Sequence, residues 1–458
     1  MDSEASCFRI LMFPWLAHGH IFPYLELARR ISKKKKFHIH LCSTAVNFNS
    51  INSFIEKNSL QNSIETVELH LQSDLPPHYH TTKNLPSNLI LTLLKSFQTA
   101  KPSFSDTIAA LKPDLVIYDI FQPWAARIAS SRGIPAVHFA AFAAATMAFV
   151  HHHYASPGGD FPFPELCLLD HEKRSIDSLI QFLYTDVFEE DKEVIFQNYR
   201  LSSEFVMLKT SEGFEGKYID YVSDVCRRKI LPVGPLVTGV CENAEENNSD
   251  VMKWLSKKEH HSTVYISFGS EYFLSEEEID EIAKGLELCD ERVNFIWVVR
   301  FPVGEKTITI EERLPRGFLN RVEGRGMVVS GWAPQANILA HPSTGAFVSH
   351  CGWSSLTESI YYGVPVIGMP KKLNMFIDAR MLVGAGACVE VPSEENGVFK
   401  GENIANVIRK VILEERIGQG LRLRSRELSE KMRIEEEQLI DETAEQLWQL
   451  CLKNKGKH

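Results

Sequence analysis

The chain has 458 residues, of which 49 are basic and 59 acidic, so its formal net charge is -10. That length exceeds what one hydrophobic core normally organises, so we expect two domains. The negative charge argues against nucleic acid and against an anionic membrane surface as partners. Nine cysteines with no pair at CxxC spacing indicate neither a disulfide framework nor a zinc site.

The amino-terminal segment MDSEASCFRI contains two acidic residues and leads directly into an apolar run, unlike a secretory signal. The most apolar stretch, Ile134–Val150, is interrupted by His138 and is too short to span a bilayer. These features predict a reduced, cytoplasmic protein without membrane insertion, and we expect it to be a monomer.

Short apolar runs alternate with longer amphipathic runs in the first half of the chain. The predicted strands there are FRILMFPWL, HIHLCSTA, ETVELHL, DLVIYDI, AVHFAA, FVMLKT and ILPVGP. Helical patterns between them include Ile21–Ser32 and Leu89–Leu111. Several strands are apolar almost throughout, as expected for strands that are buried on both faces. The alternation predicts an α/β domain with a parallel, doubly wound sheet.

The polar segment GVCENAEENNSD, Gly239–Asp250, lacks periodicity and predicts an interdomain linker. The alternation then resumes with TVYISFG, NFIWVVR, GMVVSGW, GAFVSHC, VPVIGMP and ACVEVP, and the chain is charged and helical from Gly401. We therefore expect a first domain at 1–238, a linker at 239–250 and a second domain at 251–458, with the last helix packing back on the first domain. Two such domains would leave a cleft, and doubly wound sheets bind ligands beyond the carboxyl ends of their strands.

The first predicted strand leads into His18, Gly19 and His20, where a glycine allows a sharp turn and the close approach of a ligand. A histidine here can accept a proton from a hydroxyl group, or it can satisfy backbone groups of the loop. Asp119 follows the strand DLVIY and could cap the next helix or hold His20 in one tautomer. Because parallel strands bring their carboxyl ends together, we expect these two side chains to form a base-and-orienter dyad.

A longer constellation, GWAPQANILAHPSTGAFVSHCGWSSLTES, occupies Gly331–Ser359. Three of its residues cluster with backbone amides at a predicted helix start, a favourable place for a diphosphate: His350, Gly352 and Ser355. Trp332 offers a flat face for a base, and Glu358 can accept hydrogen bonds from ribose. The segment predicts a nucleotide site. Because GxGxxG after the first strand and GxxxxGK[ST] are both absent, a dinucleotide oxidoreductase and a P-loop ATPase are disfavoured.

These residues, with GHI after the first strand, SFGS at Ser267–Ser270, WAPQ, HCGW and GVP, resemble the signature of plant family-1 UDP-glycosyltransferases. The resemblance covers essentially the whole chain. It implies two Rossmann-like doubly wound domains facing a cleft, the GT-B fold, with a UDP-sugar as co-substrate, no further cofactor and no metal. The form FPWLAHGHI is similar to the branch-forming subgroup, which extends a sugar already present on a flavonoid or triterpenoid acceptor.

The resemblance also implies a role for each site residue. His20 would be the general base of an inverting transfer, with Asp119 as its partner, and Gly19 would clear room for the sugar. Uracil would stack on Trp332 and contact the backbone of Ala333. The residues implied at the ribose are Gln335 and Glu358, and those implied at the diphosphate are Ser270, His350, Gly352, Trp353, Ser354 and Ser355.

The sequence departs from the family signature where two side chains normally grip the donor sugar. Asn374 and Met375 stand in place of Asp and Gln, and Asp378 stands where relatives usually carry Asn. Met375 makes no useful hydrogen bond, so contacts to the sugar are lost. We expect glucose as the donor sugar, with rhamnose or xylose as the alternative.

The acceptor pocket is expected in the first domain, around AAFAAATMAFVHHHY and the loop Pro76–Asn84. His18, Phe142 and Phe149 would line it, although an ordinary buried helix is an equally good interpretation of most of this stretch. Consecutive histidines point in different directions on a helix, which disfavours a metal site at HHHY. Two other functions stay open: a sugar-nucleotide epimerase, for which no carboxylate pair is obvious, and a non-catalytic protein that binds UDP-sugars or small molecules.

Overall fold

The computed structural model describes residues 7–156, 158–183, 194–240, 249–300, 309–372 and 374–456. The chain forms two compact α/β units. The first unit comprises Met1–Phe161, Ser178–Leu236 and Ile434–His458, and the second comprises Pro162–Asp177 and Val237–Arg433. Most of the expected linker, residues 241–248, lies outside the described residues. Its last residue, Asp250, already belongs to a helix, because Ser249 caps that helix by accepting a hydrogen bond from the Met252 amide.

The first unit contains a parallel sheet of seven strands in the order β3-β2-β1-β4-β5-β6-β7. Its strands are β1 Phe8–Phe13, β2 Phe37–Ser43, β3 Ile64–Glu68, β4 Leu115–Tyr118, β5 Ala136–Ala140, β6 Phe205–Leu208 and β7 Lys229–Pro232. The second unit contains a parallel sheet of six strands in the order β10-β9-β8-β11-β12-β13. Its strands are β8 Thr263–Ser267, β9 Asn294–Val299, β10 Gly326–Ser330, β11 Thr344–Ser349, β12 Val366–Gly368 and β13 Cys388–Glu390. Each of the predicted strands is therefore confirmed.

The described helices of the first half of the chain are α1 His18–Lys34, α2 Phe48–Lys57, α3 Ile90–Gln98, α4 Lys101–Leu111, α5 Pro123–Ser130, α6 Ala144–Ala155, α7 Asp170–Leu183, α8 Val194–Leu201 and α9 Glu212–Cys226. Those of the second half are α10 Asp250–Leu255, α11 Glu276–Glu287, α12 Ile310–Arg313, α13 Phe318–Arg321, α14 Gln335–Ala340, α15 Trp353–Tyr361, α16 Met375–Gly384, α17 Gly401–Leu413 and α18 Glu415–Lys455. Short 3-10 turns occur at Ala45–Asn47, Pro77–Tyr79, Ser87–Leu89 and Pro164–Leu166.

The single helix predicted over Leu89–Leu111 is wrong, because the chain forms two helices there. Helix α3 ends at Gln98 and α4 starts at Lys101, with Pro102 in its first turn. Proline has no amide hydrogen to donate and its ring clashes with the preceding turn, so it fits the start of a helix and not the interior.

Both faces of each sheet are covered, which explains the almost continuous apolar strands. In the second unit, Val264 and Ile266 of β8 face one buried cluster, whereas Tyr265 between them faces another. The core of the first unit includes residues from both ends of the chain. Four apolar residues near the end of α18 pack there with strands β1 and β2: Ile440, Ala444, Leu447 and Leu450.

The segment Pro162–Asp177 belongs to the second unit, although it falls within the predicted first domain, 1–238. A buried ion pair explains the difference. Glu172 is 3% exposed, and Arg380 donates from Nη2 to its Oε1 over 2.9 Å. A buried carboxylate needs such a partner, so this pair anchors the segment to α16. Among the described residues, no helix is both long and apolar enough to cross a membrane.

Candidate active site

Both sheets have a topological switch point, where the chain continues on opposite sides of two adjacent strands. In the first unit this point lies between β1 and β4, whose last residues, Phe13 and Tyr118, are paired. In the second unit it lies between β8 and β11, whose last residues, Ser267 and Ser349, are paired. Ligands of doubly wound sheets bind at such points, and the predicted site residues follow these strands.

The switch point of the first unit holds a histidine–aspartate pair. Nδ1 of His20 lies 2.7 Å from Oδ2 of Asp119, with His20 14% exposed and Asp119 completely buried. The backbone amide of Trp15 donates to the same Oδ2 over 3.0 Å, and the amide of Ile120 donates to Oδ1 over 2.7 Å. The expected contact between His20 and Asp119 is thus present, across 99 positions of sequence. Asp119 does not cap α5, because Gln122 occupies the position before that helix.

The environment of Asp119 determines how the His20 ring is used. Burial alone would raise the pKa of the Asp119 carboxyl, but the His20 ring and the two backbone amides lower that pKa below its ordinary value. The carboxylate is therefore ionised and accepts hydrogen bonds only. Nδ1 of His20 must donate to it, so in the neutral ring Nε2 carries the lone pair that can accept a proton.

Phe142 lies beside this pair, with its ring edge-on to His20 at a centroid distance of 5.3 Å. His18 is half-buried in the first turn of α1 and packs edge-on against Phe22. Phe149 is buried within α6, where its ring stacks on His153 and contacts Phe161.

Gly19 does not form the sharp turn that the sequence suggested. It lies inside the first turn of α1, and it is not among the glycines with positive φ. A Cβ at this position would have open space around it. Neither backbone conformation nor packing against the described residues therefore requires a glycine here, and room for the sugar stays a prediction.

The three consecutive histidines of α6 point to three different partners. His151 Nδ1 lies 3.1 Å from Cys226 Sγ, His152 Nδ1 lies 2.6 Å from the Tyr221 hydroxyl, and His153 Nδ1 lies 2.8 Å from the Phe149 carbonyl. One metal ion could not use all three, in agreement with the interpretation of this stretch as part of an ordinary helix.

In the second unit, His350 is held at the start of α15 by two glycines. A Cβ on Gly269 would lie 2.7 Å from Cε1 of the ring, and a Cβ on Gly352 would lie 2.7 Å from Nε2. Gly269, in the loop after β8, has φ +77°, and Cys351, in the loop after β11, has φ 66°, so each strand of the switch point is followed by a residue in the left-handed region. Burial lowers the pKa of His350 to about 4, so its ring is neutral at neutral pH. Gly269 was not among the predicted site residues, although the SFGS motif at Ser267–Ser270 was a signal for it.

Helix α15 presents its amino terminus directly after β11. Gly352 is the residue before the helix, has extended backbone and makes no side-chain cap, and a helix start of this kind is a favourable place for an anion. Trp353 is buried, whereas Ser354 and Ser355 are half-buried. Ser270, after β8, is also half-buried. The residues predicted at a diphosphate thus follow the two strands of the switch point.

A second group lies on α14 and α15 and in the residues that precede α14. Trp332 is 62% exposed, so its indole face is not committed to the core, and Ala333 beside it is buried. Gln335 donates from Nε2 to Glu358, and the Tyr265 hydroxyl donates to Oε1 of Gln335 over 3.2 Å. The two side chains predicted at the ribose are therefore in direct contact. Tyr265, which orients Gln335, was not recognised in the sequence.

The departures from the family signature have a structural consequence at α16. Asn374 precedes this helix and donates from Nδ2 to Oδ2 of the completely buried Asp378 over 2.8 Å. Met375 is the first residue of the helix. The buried Asp378 thus holds the Asn374 side chain in place.

Comparison with known proteins agrees with this arrangement. The sequence matches the family of UDP-glucoronosyl and UDP-glucosyl transferases over residues 32–420. It is 45% identical over 443 residues to the beta-D-glucosyl crocetin beta-1,6-glucosyltransferase of Gardenia jasminoides, over 96% of this chain and 98% of that protein. It is 43% identical over 451 residues to the flavanone 7-O-glucoside 2''-O-beta-L-rhamnosyltransferase of Citrus maxima, over 97% and 98%.

Among solved structures, TcCGT1 in complex with UDP matches with a TM-score of 0.80 at 25% sequence identity, over 98% of this chain and 100% of that chain. The two parallel-sheet α/β units are those of the GT-B UDP-glycosyltransferases. Sequence, sheet topology and the residues at both switch points therefore lead to one conclusion: this chain belongs to the UDP-glucoronosyl and UDP-glucosyl transferase family and is a UDP-glycosyltransferase.

Proposed function

We propose that this enzyme transfers glucose from UDP-glucose, with inversion, to a sugar hydroxyl of a small-molecule glycoside, such as a flavonoid or triterpenoid glycoside. The observation that carries the proposal is the His20–Asp119 pair at the switch point of the first unit. Both curated relatives described above are named for acceptors that already carry glucose, which supports extension of an existing sugar. The first domain would bind the acceptor and the second would bind the donor.

In the proposed mechanism, Nε2 of His20 accepts the proton of the acceptor hydroxyl as its oxygen attacks the anomeric carbon. The new carbon–oxygen bond forms on the face opposite UDP, while the bond from the anomeric carbon to the phosphate oxygen breaks and UDP leaves with that electron pair. Asp119 keeps the His20 ring oriented and stabilises the imidazolium that forms. A positioned general base of this kind contributes about 10²–10⁴-fold to the rate.

The second unit supplies the proposed donor site. The amides at the start of α15, with Ser270, Ser354 and Ser355, would stabilise the diphosphate, on which negative charge develops as UDP leaves. Trp332 would stack on uracil beside the backbone of Ala333, and the contacting pair Gln335 and Glu358 would bind ribose. The buried, neutral His350 and Trp353 would shape the floor of this site, with Gly269 and Gly352 fixing the position of the His350 ring.

The donor sugar is the part of the proposal that depends on Asn374 and Met375. Each lost sugar contact weakens donor binding by about the net value of a hydrogen bond, ~0.5–1.5 kcal/mol. A rhamnosyltransferase among the relatives gives a specific alternative donor. We expect the double variant Asn374→Asp with Met375→Gln to increase the use of UDP-glucose. A panel of UDP-glucose, UDP-rhamnose and UDP-xylose, measured on both proteins, tests this, and equal profiles would show that these positions do not select the sugar.

The experiment that tests the function is mass spectrometry of reactions with UDP-glucose and matched pairs of acceptors, each a flavonoid or triterpenoid glycoside and its aglycone. We expect a single added hexose on the glycosides and little product from the aglycones. Product from the aglycones alone would contradict sugar extension. Absence of transfer with every donor, together with measurable UDP binding, would favour the non-catalytic alternative. Proton NMR of early product, which distinguishes the anomers, tests inversion.

We also propose that the enzyme is a cytoplasmic monomer whose transfer step needs neither metal nor further cofactor. The base is an imidazole, and the developing charge can be stabilised by helix amides, so no Lewis acid is required by this chemistry. Light scattering during gel filtration gives the oligomeric state. Activity that is unchanged by EDTA supports the metal-independent step, and activity lost with EDTA and restored by Mg²⁺ contradicts it.

A further inference from the structure

Three potential metal ligands meet on the first sheet, away from the histidine–aspartate pair. His38 and His40 lie two residues apart on β2 and therefore point to the same face. Glu65 on the neighbouring edge strand β3 is the register partner of His40. Each of the three residues offers one ligand atom, and these atoms all lie within 4.8 Å of one another.

The distances suit one small cation better than hydrogen bonds. Nε2 of His38 and Nδ1 of His40 each lie 3.6 Å from Oε2 of Glu65. That separation is too long for a hydrogen bond. Two ligands at about 2.0–2.1 Å from a tetrahedral zinc ion lie about 3.4 Å apart, so small side-chain adjustments would complete the geometry. Glu65 is 64% exposed and can make such an adjustment.

Burial of His40 provides an independent argument. The residue is only 5% exposed, and its Nδ1 is a buried atom without a hydrogen-bond partner among the described residues. A buried polar atom without a partner is costly, and here it is the atom that faces Glu65. The adjacent residues Ile39 and Leu41 point the other way, into the hydrophobic core, so the backbone fixes the direction of His40.

We propose that His38, His40 and Glu65 bind one divalent transition-metal ion, zinc in the first instance, which ties β2 to the edge strand β3. Two imidazoles and one carboxylate are ligands that zinc accepts, whereas Mg²⁺ and Ca²⁺ prefer oxygen ligands throughout. Solvent would supply the fourth ligand, because His38 and Glu65 are partly exposed. Arg9 lies beside the cluster, opposite His38 on β1, and its charge would moderate the affinity. The site is structural and separate from the transfer chemistry.

The test is zinc titration of the full chain, purified without a histidine tag and stripped with chelator, against a chromogenic zinc indicator. We expect one zinc ion per chain in the wild type. His38→Gln and Glu65→Gln should each weaken that binding at least about tenfold, since loss of even an outer-shell partner typically costs 10–100-fold. The matched control is His70→Gln: His70 is 72% exposed and its Nδ1 lies 3.5 Å from Oε1 of Glu68, a histidine–glutamate pair that is not part of a group of three such ligands among the described residues. It should leave the zinc affinity unchanged.

Thermal melting separates binding from folding. In chelator, the His38 and Glu65 variants should melt close to the wild type, and added zinc should raise the melting temperature of the wild type and the His70 variant only. Cobalt should give the d–d spectrum of nitrogen and oxygen ligands. Equal zinc affinity in the wild type and the His38 variant would overturn the proposal, as would thiolate-to-cobalt absorption, which would assign the ion to cysteines.

Discussion

Replacing Asp119 by Asn gives the sharpest prediction about catalysis, because the change replaces one oxygen by an NH₂ group and leaves the shape of the side chain nearly intact. Oδ2 of Asp119 accepts from His20 Nδ1 and from the Trp15 amide, and Oδ1 accepts from the Ile120 amide. An asparagine cannot satisfy all three donors with one oxygen. With its oxygen toward Ile120, its NH₂ group faces the Trp15 amide and the His20 ring.

The His20 ring then changes tautomer. Nδ1 becomes the acceptor of the asparagine NH₂ group, and the proton moves to Nε2, the atom proposed to take the proton of the acceptor hydroxyl. We therefore expect kcat to fall by about 10²–10⁴-fold, the usual contribution of a positioned general base. That loss corresponds to about 3–5 kcal/mol of transition-state stabilisation. The Trp15 amide would then face the asparagine NH₂ group and lose its hydrogen-bond acceptor, which should also cost about 1–3 kcal/mol of folding free energy.

The assay is turnover at saturating donor and acceptor, together with UDP binding by calorimetry. UDP affinity should stay within about twofold of wild type, because the residues proposed to hold UDP belong to the other unit. His20→Ala should lose a similar amount of activity, and the double variant should lose little more, since the two residues act as one device. An Asp119→Asn enzyme with near-wild-type kcat would refute the tautomer argument, and additive losses would refute the coupling.

Three further predictions concern the second unit. Trp332→Ala should weaken UDP binding by about 1–3 kcal/mol, the value of base stacking on an aromatic ring, whereas Trp332→Phe should keep most of the binding energy. Equal UDP affinities of the wild type and Trp332→Ala, measured by calorimetry, would rule out stacking. Gly269→Ala should lower both the melting temperature and the UDP affinity, because its Cβ would meet the His350 ring at 2.7 Å and its φ is +77°. The control is Gly420→Ala, which lies in a helix with open space around the Cβ and should not lower stability. Burial lowers the pKa of His350 to about 4. Between about pH 6.5 and pH 4 this histidine is therefore protonated in the unfolded chain and neutral in the folded chain, so stability should fall as the pH drops through this range. The melting temperature of His350→Gln should depend less steeply on pH across that range than the melting temperature of the wild type. Identical slopes for the two proteins would contradict the assignment of this pH dependence to His350.

Much of the site was predictable because it depends on strand ends. In a parallel sheet the carboxyl ends of the strands share one edge, so an acid after β4 and a histidine after β1 could be placed together from apolar runs alone. The same rule places the residues after β8 and β11. Details that depend on side-chain packing were not predictable in this way. Gly19 is helical, Gly269 is needed to seat His350, and Asp378 holds Asn374 in place.

The amino-acid sequence by itself determined the strands, the order of the two α/β units and the residues that follow each strand, because hydrophobic periodicity and helix starts are local properties. Only the tertiary structure decided which distant groups meet. The buried ion pair with Arg380 joins the segment around Glu172 to the second unit, and the burial of apolar side chains packs the end of α18 into the core of the first unit. Strand register brought Glu65 beside His38 and His40, a cluster that the spacing of these residues along the chain does not predict. Such contacts depend on long-range register and on the cost of leaving buried charges unpaired, which are properties of the folded chain as a whole.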